Sequence, residues 1–189
     1  MIACVPAAVF GLLLDDWMEA HLYNAYVVAA TLIIYGVLFI VLENSSITAN
    51  PSITKVGHIS AKTALFIGLF QLLSLIPGTS RSGSTILGAM VLGCSRGAAA
   101  EFSFFLGIPV MFGASFLKLV KFFIKGNALT GPQIFYTILG MLVAFGVSVY
   151  SIQFLMGYVR RHDFKFFGYY RIILGIVVLA YFGITALAS

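Results

Sequence analysis

Long uncharged runs alternate with short polar segments along this chain. The longest runs are residues 25–42, 102–117, 133–156 and 167–187. Each predicts a membrane-spanning helix, because about 20 apolar residues cross the hydrocarbon layer of a bilayer. Pro109 predicts a kink in the second of them. Residues 1–14 are also apolar but short, and Asp15, Asp16 and Glu19 after them predict an acidic loop.

Two further apolar segments, residues 63–76 and 85–94, flank a polar stretch around Arg81. Each is too short to cross roughly 30 Å of hydrocarbon. Irregular backbone at that depth is stable only inside protein or beside a water-filled cavity. We therefore predict a re-entrant helix-loop-helix over about residues 63–95, with two full spans as the weaker alternative. The expected fold is one all-α, polytopic membrane helical bundle over residues 1–189.

The polar stretch has the composition of an anion pocket. An arginine at membrane depth costs about 2.5–3.5 kcal/mol or more, so Arg81 indicates a functional site. Gly78 and Gly83 allow a sharp turn and a close approach of bare backbone amides to a ligand. Ser84 or Thr85 is expected to cap the helix that follows, whose N-terminus favours phosphate.

Composition supports a membrane protein. Hydrophobic residues make up 61% of the chain and charged residues 9%, and the mean hydropathy is +1.06. A soluble domain has roughly 25% charged residues. The net charge of +5 bears on membrane topology, and no nucleic-acid partner is expected. Cys4 and Cys94 have no metal-ligand spacing and are interpreted as small packing residues.

The placement of charge predicts an orientation. With the re-entrant pair counted as no crossing, one side carries Lys55, Lys62, Arg96, Arg160, Arg161 and Lys165. The other side carries Asp15, Asp16, Glu19, Lys118, Lys121 and Lys125. The first side has the larger excess of positive charge, which favours the cytoplasm. The tip of the re-entrant pair then points outward, toward a cavity open to the outer face.

The polar stretch also resembles a family signature. Residues 71–83, QLLSLIPGTSRSG, look like the second signature of the bacterial undecaprenyl-diphosphatases, the bacitracin-resistance proteins. Further similar segments are GCSRGAAAEFSF at 93–104, Ile108-Pro109, YRIILG at 170–175 and VPAAVFGLL at 5–13. The resemblance covers nearly the whole chain. It implies a fold of two inverted repeats, of which this chain resembles the second.

The resemblance implies hydrolysis of undecaprenyl diphosphate to the monophosphate, which recycles the lipid carrier of cell-wall synthesis in the bacterial inner membrane. The implied catalytic residues are Arg81, Ser80 and Ser82. The implied substrate-binding residues are Gly78, Thr79, Gly83, Ser84, Thr85, Gln71 and Arg96. For the two serines a binding role is favoured, since neither has a base nearby in sequence. An interfacial anchor remains the alternative for Arg96, and a packing amide the alternative for Gln71.

The family's first, glutamate-rich signature has no counterpart in this sequence. We therefore expect this chain to be the C-terminal part of the family fold and inactive alone. A divalent metal, Mg²⁺ or Ca²⁺, is implied by the resemblance, with its ligands in the other repeat and none in this chain. Half of a transporter or flippase, which binds an anion without chemistry, is the first rival, and a non-catalytic scaffold is the second. A homo-oligomer is left open, and Arg171 is interpreted as an interfacial anchor.

Overall fold

The computed structural model describes residues 1–46, 48, 50–126 and 128–188, with the backbone alone at residues 12, 15, 16, 19, 160, 161 and 186–188. This part of the chain is built from α-helices, and its only extended pairing is a parallel bridge between Ile53 and Cys94. The helices are α1 (Val5–Leu22), α2 (Ala25–Glu43), α3 (Ala61–Leu72), α4 (Arg81–Val91), α5 (Arg96–Ile124), α6 (Gly131–Arg161) and α7 (Lys165–Ala188). The predicted all-α membrane bundle is confirmed.

Four of the described helices, α2, α5, α6 and α7, are long and apolar enough to cross a membrane. They contain the four predicted spans. Helices α5 and α6 are 29 and 31 residues long and extend well beyond the predicted apolar segments. The added residues at their ends include lysine and arginine, whose helix propensity equals that of apolar residues such as leucine. Large apolar side chains on α6 are exposed, as expected of a surface that faces lipid.

The predicted acidic loop at residues 15–19 is wrong. Helix α1 begins with Pro6 in its first turn and continues through these residues to Leu22. Proline is favoured at the start of a helix, and no proline or glycine follows it between residues 12 and 22 to end the helix. The side chains of Asp15, Asp16 and Glu19 lie outside the described part of the structure.

Helices α3 and α4 pack against each other as a hairpin. At 12 and 11 residues they are about 18 and 17 Å long. After α4, Gly93 accepts a hydrogen bond from Ile53 N–H at 3.0 Å, and Ser95 N–H donates to Ile53 O at 2.8 Å. Because residue 53 precedes α3, these bonds hold the entry and the exit of the hairpin close together. Its tip, residues 76–80, lies at the other end.

The core lies around this hairpin. Apolar side chains of α2, α4 and α5 form one buried cluster with Ile67 of α3 and with Val159 and Phe164 near the loop between α6 and α7. Helix α7 packs closely along α2. The close approach requires glycine: a Cβ on Gly36 would lie 2.7 Å from the carbonyl oxygen of Gly168, and one on Gly175 would lie 2.9 Å from that of Ala29. These contacts hold α7 against α2, and α2 in turn packs against α4 of the hairpin.

Candidate functional site

The hairpin tip is held by α2. Pro77 O accepts a hydrogen bond from the Thr31 hydroxyl at 2.8 Å. Gly78 has φ of +84°, in the left-handed region that favours glycine, and a Cβ there would lie 2.2 Å from Thr31 Oγ1. The tip is therefore positioned by the sequence Pro-Gly and by one contact with a neighbouring helix.

Ser80 caps α4. Its Oγ accepts a hydrogen bond from Gly83 N–H at 3.2 Å and lies 3.1 Å from Ser82 Oγ. The expected cap at Ser84 or Thr85 is wrong: the helix begins at Arg81, about one turn earlier. Serine is an equally good cap at position 80 and at position 84. Ser80 is the cap because its backbone lies in the β region, which a cap residue requires. Among the described residues, the partners of the Ser80 hydroxyl are Gly83 N–H and Ser82 Oγ, and neither is a base.

Arg81 is the first residue of α4, and its guanidinium lies against Gly107 of α5. A Cβ on Gly107 would lie 2.8 Å from Nη2 and 2.9 Å from Nη1 of Arg81. Within the described structure, Nη1 is buried and has no hydrogen-bond partner. An arginine remains charged in a protein, and burying an unpaired charge is costly. The group is therefore arranged for an anion that the protein itself does not supply.

Arg171 of α7 is a second cation at the same helix terminus. Its Nη2 lies 3.6 Å from the position that a Cβ on Gly83 would occupy, and its Nη1 is buried without a hydrogen-bond partner in the described part. The predicted interfacial anchor is therefore wrong: α7 begins at Lys165, so Arg171 lies almost two turns inside the helix. A lone charge inside an apolar helix was the signal that could have identified it.

A cleft of about 440 Å³ reaches Arg81 from between α1, α3 and α5. Gln71 of α3 lines it, and this side chain is 1% exposed. Neither its Nε2 nor its Oε1 has a hydrogen-bond partner among the described residues. An amide buried in this way is normally satisfied, so Gln71 is available to a polar ligand in the cleft.

Ser84 and Thr85 point into the protein instead. The Ser84 hydroxyl donates to Tyr35 Oη at 3.2 Å, and Thr85 Oγ1 lies 2.6 Å from Ser103 Oγ. Both residues are 1% exposed. Their hydroxyls connect α4 to α2 and α5, and the predicted contact of these two residues with substrate has no support in this geometry. Thr79 is half-buried, and its hydroxyl makes no hydrogen bond in the described structure.

Arg96 is held elsewhere. Its Nε lies 2.9 Å from both carboxylate oxygens of Glu43, and its Nη2 also pairs with that carboxylate. The Glu43 side chain is fully buried and accepts a further hydrogen bond from Phe164 N–H at 3.0 Å. This cluster ties the end of α2 to the start of α5 and to the loop before α7. The contacts of Arg96 are those of a structural residue, and its predicted substrate-binding role stays a prediction.

The described residues include no group of three or more His, Cys, Asp or Glu side chains that could hold a metal ion. The side chains at the α4 terminus are two guanidiniums, hydroxyls and one amide. Guanidinium groups cannot ligate a cation. This group of residues therefore does not fit a divalent metal and fits an oxyanion.

Comparisons with known proteins point to one family. The family model described as "Bacitracin resistance protein BacA" matches residues 1–177. An undecaprenyl-diphosphatase of Streptococcus thermophilus is 58% identical over 96% of this chain and 63% of its own length. Enzymes of the same name from Streptococcus mutans and Leuconostoc citreum are 56% and 55% identical, over 96% and 95% of this chain and 64% of their own lengths. The chain thus spans just under two thirds of the length of these relatives.

Proposed function

Because this chain belongs to the bacitracin resistance protein family, we propose that it acts in the bacterial plasma membrane as an undecaprenyl-diphosphatase. In this reaction, water attacks the terminal phosphorus of undecaprenyl diphosphate. The bond from that phosphorus to the bridging oxygen breaks, and inorganic phosphate and undecaprenyl phosphate are released. The name that its relatives carry supplies the substrate.

The observation that carries the proposal is a pair of half-buried arginines at one helix N-terminus, whose Nη1 atoms are buried and have no partner in the described structure. Phosphoryl transfer gains most of its acceleration from positioning and from stabilisation of the charge on the phosphate oxygens. Arg81 and Arg171 supply fixed positive charge, and the first amides of α4 lack intrahelical partners. Together they suit the diphosphate headgroup.

The roles of the hydroxyls follow from their contacts. Ser80 already accepts a hydrogen bond from Gly83 N–H and contacts Ser82, so we assign both serines to organising the loop and binding phosphate oxygens. Gln71 offers an amide to the same headgroup. We assign no nucleophile among these residues, because none of them contacts a base in the described structure.

The divalent metal expected from the family resemblance has no ligands in this group of residues, and we derive no step through it. Metal dependence stays a proposal. Its measurement is phosphate release after chelation and after readdition of Mg²⁺ or Ca²⁺.

We further propose that α3 and α4 form a re-entrant hairpin. The hydrogen bonds between residues 53 and 93–95 hold both of its ends on one side, and each helix is shorter than the hydrocarbon layer. Single cysteines at Lys55 and Lys118, tested with a membrane-impermeant thiol reagent in the Cys4→Ser/Cys94→Ser background, check this topology. We expect labelling from opposite faces, which means that α3 and α4 together make no net crossing, a result that two full spans would also give. Labelling of both from one face would contradict the hairpin.

Phosphate release from undecaprenyl diphosphate in detergent tests the function, with the S. thermophilus enzyme as positive control. It is measured on this chain and on a longer form that includes a glutamate-rich segment, and each substitution is made in a form that releases phosphate. We expect Arg81→Ala to lower turnover by about 10²–10³-fold, the usual effect of removing one stabilising group. Arg81→Lys should restore little, because lysine lacks the planar fork that binds two phosphate oxygens. Arg171→Ala should also reduce turnover.

Unchanged turnover in Arg81→Ala would refute the assignment. Binding of undecaprenyl diphosphate with no phosphate release, in a preparation where the control is active, would favour the transport or scaffold alternatives. If only a longer form that includes a glutamate-rich segment releases phosphate, the expectation that this chain is inactive alone would be correct.

A further inference from the structure

The cleft that reaches Arg81 continues along α5 to two lysines. Its lining from this helix is Pro109, Val110, Gly113, Ala114, Leu117, Lys118 and Lys121. These residues recur at spacings of three and four, so they share one face of the helix. Lys121 lies 14 residues after Gly107, which contacts the Arg81 guanidinium. The cleft therefore extends about 20 Å from Arg81 to its far end.

The charged side chains that the structure describes along this cleft have one sign. Among its described lining residues, the charged ones are Arg81, Lys118 and Lys121. The remainder are apolar or uncharged, and several are small: Ala7, Ala8 and Gly11 of α1, and Gly113 and Ala114 of α5. A cleft with like charges and low-dielectric walls concentrates the electric field and raises the local concentration of a counter-ion.

Both lysines are exposed, and the described residues pair neither of them with a carboxylate. Lys121 also lies in the last turn of α5, where a cation stabilises the helix dipole. That structural role does not account for Lys118, which is not in the last turn. The helix-dipole role of Lys121 also does not explain why the cleft connects both lysines to Arg81.

We propose that Lys118 and Lys121 form a second phosphate-binding station, and that the cleft guides a phosphate oxyanion between this station and Arg81. The proposal rests on the proposed function, which makes phosphate both the group recognised and the product released. The shared chemistry is the phosphate group, carried either by the lipid headgroup on entry or by the inorganic product on exit. Lys118 and Lys121 are guiding residues that do not touch the reacting atoms.

The test compares Lys118→Gln/Lys121→Gln with Lys125→Gln. Lys125 is the matched control, because it directly follows α5 as its C-cap and is not among the residues that line the cleft. We measure kcat, KM for undecaprenyl diphosphate and the inhibition constant of inorganic phosphate, at about 20 mM and about 500 mM salt, since the higher concentration screens exposed charges. Thermal unfolding of each variant reports the structural role of Lys121.

We expect the double variant to raise KM, the phosphate inhibition constant or both by roughly tenfold at low salt, with the difference shrinking at high salt. The kcat should not change, and Lys125→Gln should match the wild type. A change in the inhibition constant alone identifies the free product as the ligand, and a change in KM alone identifies the lipid headgroup. If the double variant matches Lys125→Gln in both constants, the proposal is refuted.

A failure of the proposed function gives a different result. Absence of phosphate release from the wild type, in an assay where the S. thermophilus enzyme is active, would count against hydrolysis by this chain. Binding of radiolabelled orthophosphate at low salt then tests the station by itself. Weaker binding by the double variant than by Lys125→Gln supports the station, and equal binding refutes it.

Discussion

Gly107→Ala tests whether the position of the Arg81 guanidinium controls activity. The added Cβ would lie 2.8 Å from Nη2 and 2.9 Å from Nη1, whereas ordinary contacts begin at 3.4 Å. The guanidinium must therefore move by at least about 0.6 Å, since overlap at this distance is repulsive. Because a misplacement of about 1 Å can cost 10²-fold in rate, we expect kcat/KM to fall by roughly 10- to 100-fold.

The same substitution should not destabilise the fold. The atoms that must move are the end of a flexible side chain, and alanine in a helix interior is more favourable than glycine by about 1 kcal/mol. The thermal midpoint in detergent should therefore be unchanged or higher. The assay pairs thermal unfolding with phosphate release from undecaprenyl diphosphate.

Gly113→Ala is the matched control. Gly113 lies on the same helix and lines the same cleft, but a Cβ there would meet nothing within 4 Å. We expect wild-type kinetics from this variant. Wild-type kcat/KM in Gly107→Ala, or an equal loss in both variants, would refute the argument that contact with Arg81 is what matters.

Three further predictions concern the supporting structure. Arg96→Ala should destabilise the protein by about 2–4 kcal/mol, because it leaves the fully buried Glu43 carboxylate without its cation. Glu43→Ala should destabilise it by less, because water can solvate the partly exposed Arg96 that remains. A denaturation double-mutant cycle measures both free energies, and a larger loss in Glu43→Ala would contradict the argument. Gly78→Ala should destabilise the hairpin tip severely, since φ is +84° and a Cβ would overlap the Thr31 hydroxyl of α2. Gly126→Ala is the control: its φ is +76° but a Cβ would meet nothing within 4 Å. Thermal unfolding should show a loss of only about 1 kcal/mol in the free energy of unfolding for this control. Burial raises the pKa of the Cys94 thiol, so less of it is thiolate near neutral pH. In a Cys4→Ser variant, where Cys94 is the remaining thiol, alkylation should therefore be slow until the protein is unfolded. Rapid labelling of the native variant would contradict this prediction.

Local patterns were sufficient for much of the fold. The long apolar runs identified α2, α5, α6 and α7, because the bilayer imposes the same length on every spanning helix. Arg81 could be identified as a functional residue because a charge between apolar membrane segments is costly and therefore indicates a functional site. The similarity of residues 71–83 to a family signature then supplied a chemistry that composition alone does not contain.

Helix boundaries were less predictable. The helix after the tip begins at Arg81 and is capped by Ser80, whereas Ser84 or Thr85 was the expected cap. Cap choice depends on the backbone conformation of a single residue, which Pro77, Gly78 and the contact with Thr31 determine. Likewise, α1 continues through an acidic segment that hydropathy alone assigned to a loop.

By itself, the sequence determined that this is a helical membrane protein with one charged, glycine-framed break at residues 77–83. Only the tertiary structure decided which distant residues meet there. Arg171 approaches Gly83, and Gly107 makes room for Arg81, while Glu43 pairs Arg96 away from them. Hydropathy records the cost of burying each residue, which is a local property. The partner that offsets this cost lies tens of residues away and is selected by helix packing.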